Sequence, residues 1–285
     1  MTQDQTTTNS LQPIGVFDSG IGGLSVLAAL RDMLPHENFI YLGDTARLPY
    51  GTKSRATVCA YAGGMTKALL DHDIKALVVA CNTASAYAMD TIRAMTGDIP
   101  VIGMVEPAAE AALNRTQTGH ILVIGTDSTI RSHVYPDALK AGRRETRVTS
   151  RPCQLLVALA EEGWHDGEIA EATVRAYMRD SLDMPARQRP DTVVMGCTHF
   201  PVFRPVFSRV LGSDTNLINC GAAAAEKLAA ILPSPCDASR HGTVCYYATD
   251  SPARFAAGAR LFGHSECDEA NIEIIDVTGH AGIKP

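Results

Sequence analysis

Two short apolar runs set the pattern of the chain: Leu77-Val78-Val79-Ala80-Cys81-Asn82-Thr83 and Val193-Val194-Met195-Gly196-Cys197-Thr198-His199. Neither alternates apolar with polar residues. Each ends in a small residue, then a cysteine, then residues able to hydrogen-bond. An unbroken apolar run rich in β-branched residues predicts a strand buried on both faces, as in a parallel sheet, with its cysteine where the strand stops. In open α/β sheets ligands bind at that carboxyl end. The cysteines are 116 residues apart, about the size of one α/β lobe, so the spacing predicts two similar lobes that each present one thiol to a shared cleft.

The pattern elsewhere fills in the lobes. Residues 14–17 predict a strand running into glycine-rich Asp18-Ser19-Gly20-Ile21-Gly22-Gly23, with a helix over 24–33. Such a turn exposes backbone N–H groups that can hold an anion, and a tight turn without a ligand reads equally well. It is not a dinucleotide fingerprint, because the third glycine of G-x-G-x-x-G would fall at Ser25, nor a Walker loop, which needs Gly-Lys-Ser/Thr. A second strand over 38–42 ends in Gly43-Asp44-Thr45-Ala46-Arg47-Leu48-Pro49-Tyr50-Gly51, a loop suited to clamping a ligand. Asp44 and Arg47 within it read equally as a structural pair. A helix over 53–72, the first cysteine strand, a helix over 85–95 and a strand over 101–104 complete a βαβαβαβ order, whose natural arrangement is a parallel sheet with right-handed crossovers.

At Glu106-Pro107 the pattern restarts. A strand over 121–125 leads into Thr126-Asp127-Ser128-Thr129, an echo of Phe17-Asp18-Ser19-Gly20. A helix to 140, a strand over 146–150, helices over 155–162 and 168–183, the second cysteine strand and a helix opened by Pro201 follow. Beyond 217–219 come a helix over 222–232, a strand over 243–248, a helix over 252–262 and a strand over 272–277. The expectation is an α/β protein of two similar lobes, each a mostly parallel sheet flanked by helices, with the active site in the cleft between them. Lobe 1, carrying Cys81, takes 13–105 and 217–285; lobe 2, carrying Cys197, takes 106–216; residues 1–12 form a disordered tail.

Composition narrows the class. A chain of 285 residues, 46% hydrophobic and 20% charged, buries one large or two modest cores in the manner of an ordinary soluble enzyme. No apolar run approaches a membrane span, and Met1 to Ser10 lacks the basic and apolar regions of a signal peptide, so the expectation is a cytoplasmic protein with no membrane partner. The formal charge is −6 and the longest basic run is Arg143-Arg144, which gives no nucleic acid as primary ligand. None of the eight cysteines forms a C-x-x-C pair, which argues against structural zinc, and no metal is expected. Cys59, Cys153, Cys236, Cys245 and Cys267 read as small buried hydrophobes. No cofactor is expected either: pyridoxal phosphate needs a Schiff-base lysine, and no lysine sits in a strand-end motif.

Two thiols on opposite sides of a cleft supply one acid and one base. Inverting a carbon beside a carboxylate means removing its weakly acidic proton from one face and delivering a proton to the other. A thiolate forms readily when a positive neighbour or a helix N-terminus brings the pKa from about 8.5 towards neutral. Both cysteines precede predicted helices, and His199 lies two residues beyond Cys197. Asn82-Thr83 and Thr198-His199 can hold a carboxylate at a helix start, and Asp18 can meet an ammonium group or Cys81. Other readings are packing of both cysteines at strand ends and a Cys197–His199 hydrolase, which gives Cys81 no role. A redox disulfide between the two is a third, set against the width of a cleft that admits an amino acid.

These residues carry a family likeness: the chain resembles the glutamate racemases, cofactor-independent two-cysteine enzymes that make D-glutamate for peptidoglycan. The likeness rests on the stretches 14–24, 43–51 and Ala80-Cys81-Asn82-Thr83-Ala84-Ser85-Ala86, then Ile124-Gly125-Thr126 with Thr129-Ile130, Glu161-Glu162-Gly163, Gly196-Cys197-Thr198-His199-Phe200-Pro201 and Thr249-Asp250-Ser251-Pro252. It implies catalytic Cys81 and Cys197, with substrate contacts from Asp18, Ser19, Tyr50, Gly51, Asn82, Thr83, Thr198 and His199. Pro49 and Thr126 join that set, with Asp44 and Glu161 supporting it from behind. Asn82, Thr83 and Thr198 suit the α-carboxylate, Asp18 the ammonium group, and the Pro49-Tyr50-Gly51 backbone the distal carboxylate. The implied reaction interconverts L- and D-glutamate between the two thiols; the implied partner is that small molecule, and a homodimer stays open. Asn219-Cys220-Gly221 departs from the Asp-Ser-Gly often found there, and Val157-Ala158-Leu159 lacks a proline common before Glu161; both departures bear on local packing. An aspartate racemase, a thiol-dependent decarboxylase of the same architecture, and a binding or regulatory protein on this scaffold are the alternatives.

Overall fold

The structure, a computed structural model, describes residues 12–233 and 241–278. The expected tail lies outside the described residues apart from Gln12, as does Cys236. Strands β1 (Ile14–Asp18), β2 (Phe39–Gly43), β3 (Ala76–Val79) and β4 (Val101–Ile102) pair in the order β2-β1-β3-β4. Strands β5 (His120–Gly125), β6 (Arg147–Pro152), β7 (Thr192–Gly196) and β8 (Asn216–Asn219) pair in the order β6-β5-β7-β8, the same arrangement in a separate sheet. The chain then returns, and β9 (Val244–Ala248) and β10 (Ile272–Ile274) extend the first sheet beyond β2. Every pairing is parallel. The third strand of each set, β3 or β7, lies beside the first and leads into a cysteine, so both thiols leave their sheets at carboxyl ends.

Side chains along a strand point alternately to opposite faces, and this divides the core into layers. Ile14, Val16, Ala76 and Val78 of the first sheet and Ile121, Val123 and Val194 of the second belong to one buried cluster. Between the sheets that cluster takes in helices α1 (Leu24–Met33), α5 (Val105–Arg115), α7 (Val134–Gly142) and α11 (Cys220–Ile231). The other face of the first sheet packs Phe17, Leu77 and Val79 on α2 (Arg55–Leu70), α3 (Asn82–Tyr87) and α4 (Met89–Thr96). The other face of the second packs Leu122, Val193 and Met195 on α8 (Gln154–Glu161), α9 (Gly167–Leu182) and α10 (Arg204–Leu211). The inner helices are alanine-rich: Ala108, Ala109, Ala112, Ala224 and Ala225 are all buried. Small side chains let the helices lie close to both sheets. Helix α12 (Pro252–Leu261) closes the inner face of the first sheet with Phe255 and Ala259.

Several elements differ from their sequence expectation. The helix over 85–95 is two, α3 and α4, parted at Ala88. The helix expected to run to 140 is also two, α6 (Asp127–Arg131) and α7, separated where His133 turns to a left-handed φ of 59°. Glu106-Pro107, where the pattern restarts, sits in the first turn of α5, the helix that carries the chain from β4 to the second sheet; there a proline removes a backbone N–H that has no helical partner anyway. Cys153 and Cys267 are buried, but Cys245 is exposed and Cys59 half-buried; Cys245 lies on β9, where alternation turns it outward.

The entry to the second sheet is fastened by one carboxylate. Asp191 Oδ2 accepts from the backbone N–H groups of Gln117 at 2.8 Å and Thr118 at 2.7 Å, while Oδ1 accepts from the hydroxyls of Thr116 at 2.7 Å and Thr192 at 2.9 Å. Asp191→Ala strands four donors and should lower unfolding free energy by about 2 kcal/mol in urea titrations. A loss below about 0.5 kcal/mol, the range of an ordinary surface change, would show that the loop does not depend on this carboxylate.

Candidate active site

The carboxyl ends of β3 and β7 open on one small cavity. It measures about 30 Å³, room for about two waters. Lobe 1 contributes Ser19, Gly20, Leu48, Pro49, Tyr50, Gly51, Cys81, Asn82 and Thr83; lobe 2 contributes Thr126, Val157, Glu161, Cys197, Thr198 and His199. Both cysteines are free thiols, 4% and 6% exposed, and they face the same space. Of the expected contacts only Asp18 stands behind the wall rather than in it; Asp44 supports from behind as expected, whereas Glu161, expected beside it there, lines the cavity.

Each element delivers its side chain for a local reason. Cys81 caps α3: its sulfur accepts from the N–H of Ala84 at 3.4 Å and donates to Ser19 Oγ at 3.5 Å. Asp18 ends β1 with its chain folded back, Oδ2 accepting from Gly20 N–H at 3.1 Å and Gly23 N–H at 3.0 Å. Its Oδ1 is buried without a protein partner. Asp44 is a structural anchor. It accepts from Arg47 Nε at 2.9 Å, from Thr249 Oγ1 at 2.9 Å and from the Tyr50 hydroxyl. With its hydroxyl so committed, Tyr50 offers the cavity its backbone. The glycine-rich turn is explained by proximity: a Cβ on Gly22 would lie 2.5 Å from both His199 Cε1 and Thr198 Oγ1. Where the lobes meet on the other side, Thr83, Thr126 and Thr129 form a ring of hydroxyls 3.0–3.3 Å apart.

The two sulfurs have different surroundings. Burial, reinforced by the Asp18 charge, pushes the Cys81 thiol up to about 12 against the help of Ser19 and the Ala84 N–H. On the other side the His199 ring lies 3.7 Å from Cys197 Sγ through Nδ1 and 3.4 Å from Glu161 Oε1 through Nε2. The latter is a charge pairing without hydrogen-bond alignment. Burial works against a charged ring, yet the contacts with Cys197 and Glu161 and the field of Asp18 outweigh it and raise His199 to about 10. Glu161 is drawn down by His199 and, more weakly, by Arg254 Nη2, 3.2 Å from its Oε2. Burial raises Asp18 despite the attraction of His199 and its backbone donors.

Three wall residues were not foreseen. Leu48 adjoins the cis Leu48–Pro49 peptide of the clamp loop, and Gly20 belongs to the flagged turn. Val157 lies one helical turn before Glu161 on α8, a spacing that puts both on one face. Tyr135, which donates to Asn82 Oδ1 at 2.6 Å, gave no local signal, because 53 residues separate the two.

Two like sheets that each deliver a free thiol to one cavity define a class of protein: a two-lobed α/β frame with a site where the lobes meet. The chain belongs to the Asp/Glu/Hydantoin racemase family, whose model matches residues 24–228. A glutamate racemase of Geobacter metallireducens is 43% identical over 254 residues, 88% of this chain and 92% of that protein. The solved glutamate racemase of Francisella tularensis, in complex with D-glutamate, aligns with a TM-score of 0.85 at 33% identity, covering 95% of this chain and 99% of its own. That of Bacillus anthracis gives 0.85 at 32%, covering 93% and 97%. An allantoin racemase of Klebsiella pneumoniae, at 0.53 and 19% identity over 77% of this chain and 87% of its own, shares the fold. No helix among the described residues is long and apolar enough to cross a membrane.

The charge on His199 is testable. A raised histidine pKa stabilises the fold fully below the unfolded value of about 6.5 and loses that contribution as pH rises through the folded value. NMR titration of His199 should give a midpoint near 10, and in Glu161→Gln, which removes the facing charge, a midpoint lower by about one pH unit or more. A wild-type midpoint near 6.5 would mean that the ring is neutral beside Cys197.

Proposed function

We propose that this chain is an isomerase that interconverts L- and D-glutamate, using Cys81 and Cys197 as the two proton-transfer groups and supplying D-glutamate for peptidoglycan. The observation that carries the reading is the equivalence of the two sulfurs: each follows the third strand of its sheet, and both stand at the wall of one cavity. The family membership and the names of the relatives support the substrate. The boundaries read from the chain, 13–105 with 217–285 and 106–216, are part of the proposal: the return of β9 and β10 to the first sheet supports them, while β8 (Asn216–Asn219) pairs with β7 and moves the second crossing beyond 219.

In one direction Cys197, in its thiolate form and paired with the His199 imidazolium, removes the α-proton and becomes a thiol. Cys81, held as a thiol by burial, gives its proton to the opposite face and is left as a thiolate. The enantiomer returns both groups to their starting forms by the reverse steps. Charge developing on the α-carboxylate as the proton leaves is met by donors at Asn82, Thr83 and Thr198, groups already oriented before the reaction. Asp18, buried behind the Ser19-Gly20 turn, acts on the substrate's ammonium group through its charge rather than by contact. The Pro49-Tyr50-Gly51 backbone takes the distal carboxylate.

Cys81→Ser and Cys197→Ser should each cut racemisation by about 10²-fold or more while leaving the fold intact, since each removes a general acid–base partner. The assay is exchange of the α-hydrogen in deuterated water with L- and D-glutamate, followed by NMR together with optical rotation. Wild-type turnover in either single variant would exclude the two-thiol scheme, and stoichiometric binding without exchange would identify a binding protein instead.

A further inference from the structure

Asn82 begins α3 in lobe 1, at the cavity wall, and is 4% exposed. Its side-chain oxygen is engaged from across the lobe boundary: Tyr135 on α7, 1% exposed, donates its hydroxyl to Oδ1 at 2.6 Å. The same hydroxyl lies 3.3 Å from the sulfur of Cys220, whose thiol donates to the carbonyl of Met195 at 3.2 Å. A phenol has one proton to give, and an amide oxygen accepts far better than a sulfur. Burial, with Cys220 adjoining, raises Tyr135 well above the ordinary phenol value, so that proton is present at any working pH. It goes to Asn82. The amide nitrogen Nδ2 then remains buried without a partner in the protein.

An amide can present either end, and the two ends recognise opposite things. Nδ2 turned outward offers two N–H donors and suits a carboxylate; Oδ1 turned outward offers an acceptor and suits an ammonium group. We propose that Tyr135 is a positioning residue that decides between them, its hydroxyl holding the Asn82 amide so that its donors meet the substrate carboxylate. The inference rests on Asn82 being a substrate contact, as in the function proposed above. It gives the orphaned Nδ2 its occupant, and it gives Cys220 a place in the site: its S–H, spent on Met195, leaves the phenol proton for Asn82. The Asn219-Cys220-Gly221 departure is thus two contacts from the ligand rather than a matter of packing alone.

The test is a cycle of Tyr135→Phe, Asn82→Ala and the double variant, read as KM and kcat on L- and D-glutamate. Tyr135→Phe should raise KM about tenfold, the scale of one lost hydrogen bond to a buried group, with kcat within about threefold of wild type. In the Asn82→Ala background the same substitution should add nothing, since two residues acting through one contact are not additive. Asn82→Asp, which keeps an acceptor for Tyr135 and has no donor to offer, should raise KM at least as far as Asn82→Ala; this reading does not depend on how well Tyr135→Phe folds. An unchanged KM in Tyr135→Phe, additive losses, or wild-type binding by Asn82→Asp would overturn the proposal. A wild-type chain that binds glutamate without turnover would overturn the racemase reading alone, the cycle then being read from D-glutamate dissociation constants by calorimetry. One that does neither would overturn both.

Discussion

The lobes meet where the chain has no side chains to hold them apart. Gly22 brings lobe 1 against Thr198 and His199, Gly51 does the same against Thr126, where a Cβ would approach within 2.7 Å, and Gly221 lets α11 lie 3.0 Å from the Cα of Val26 by the same measure. None of these glycines needs an unusual φ; what each supplies is the missing methyl. A protein interior is close-packed, so a contact of this kind moves whole elements when it is filled. The close approach of the two thiol-bearing walls therefore depends on absences at Gly22 and Gly51, while Gly221 and the buried alanines of α5 and α11 extend the same economy of size through the central layer.

Topological likeness does not make the two sides chemically alike. Both sulfurs follow the third strand of a β2-β1-β3-β4 arrangement, yet one is met by a carboxylate and the other by an imidazole. Asp18 stands near Cys81 and, with burial, keeps a proton on that thiol; His199 stands beside Cys197 and carries a proton of its own. A charged ring at 6% exposure would be expensive alone. Here it is ringed by Cys197, Glu161 and Asp18, and burying a charge is tolerable only with such partners. The two sulfurs thus stand in unlike fields, a buried carboxylate behind one and a charged ring beside the other.

How much of this the sequence revealed follows from the range over which each cause acts. The cysteine strands, the glycine turn and the βα order are local patterns, and the parallel sheets follow from them. The return of β9 and β10 to the first sheet was inferred from the shortage of elements there. Helix breaks at Ala88 and His133 were missed, because neither residue is a strong breaker and the turns are imposed by packing. The expected wall residues from Ser19 to His199 came together, while Asp18 fell behind the wall because Gly20 and Gly23 fold one of its carboxylate oxygens back onto the backbone, and Glu161 reached the wall from α8. Tyr135 was invisible: a hydrogen bond between residues 53 apart leaves no trace in periodicity or motif. Cys245 was misread because composition alone cannot tell which face of a strand a residue occupies.

The residues assigned to the substrate's α-carboxylate are also the residues that bond one lobe to the other. Thr83 shares hydroxyl contacts with Thr126 and Thr129, and Asn82 accepts from Tyr135, so lobe 1 cannot move away from lobe 2 without breaking them. Each such buried bond is worth about 1 kcal/mol in place and more if its groups are left unpaired. Parting the lobes to admit a ligand therefore strands polar groups at the very wall the ligand must touch. A ligand held between the lobes must therefore leave these bonds made or replace each of them with one of the same polarity, since a stranded acceptor such as Asn82 Oδ1 is satisfied only by a donor.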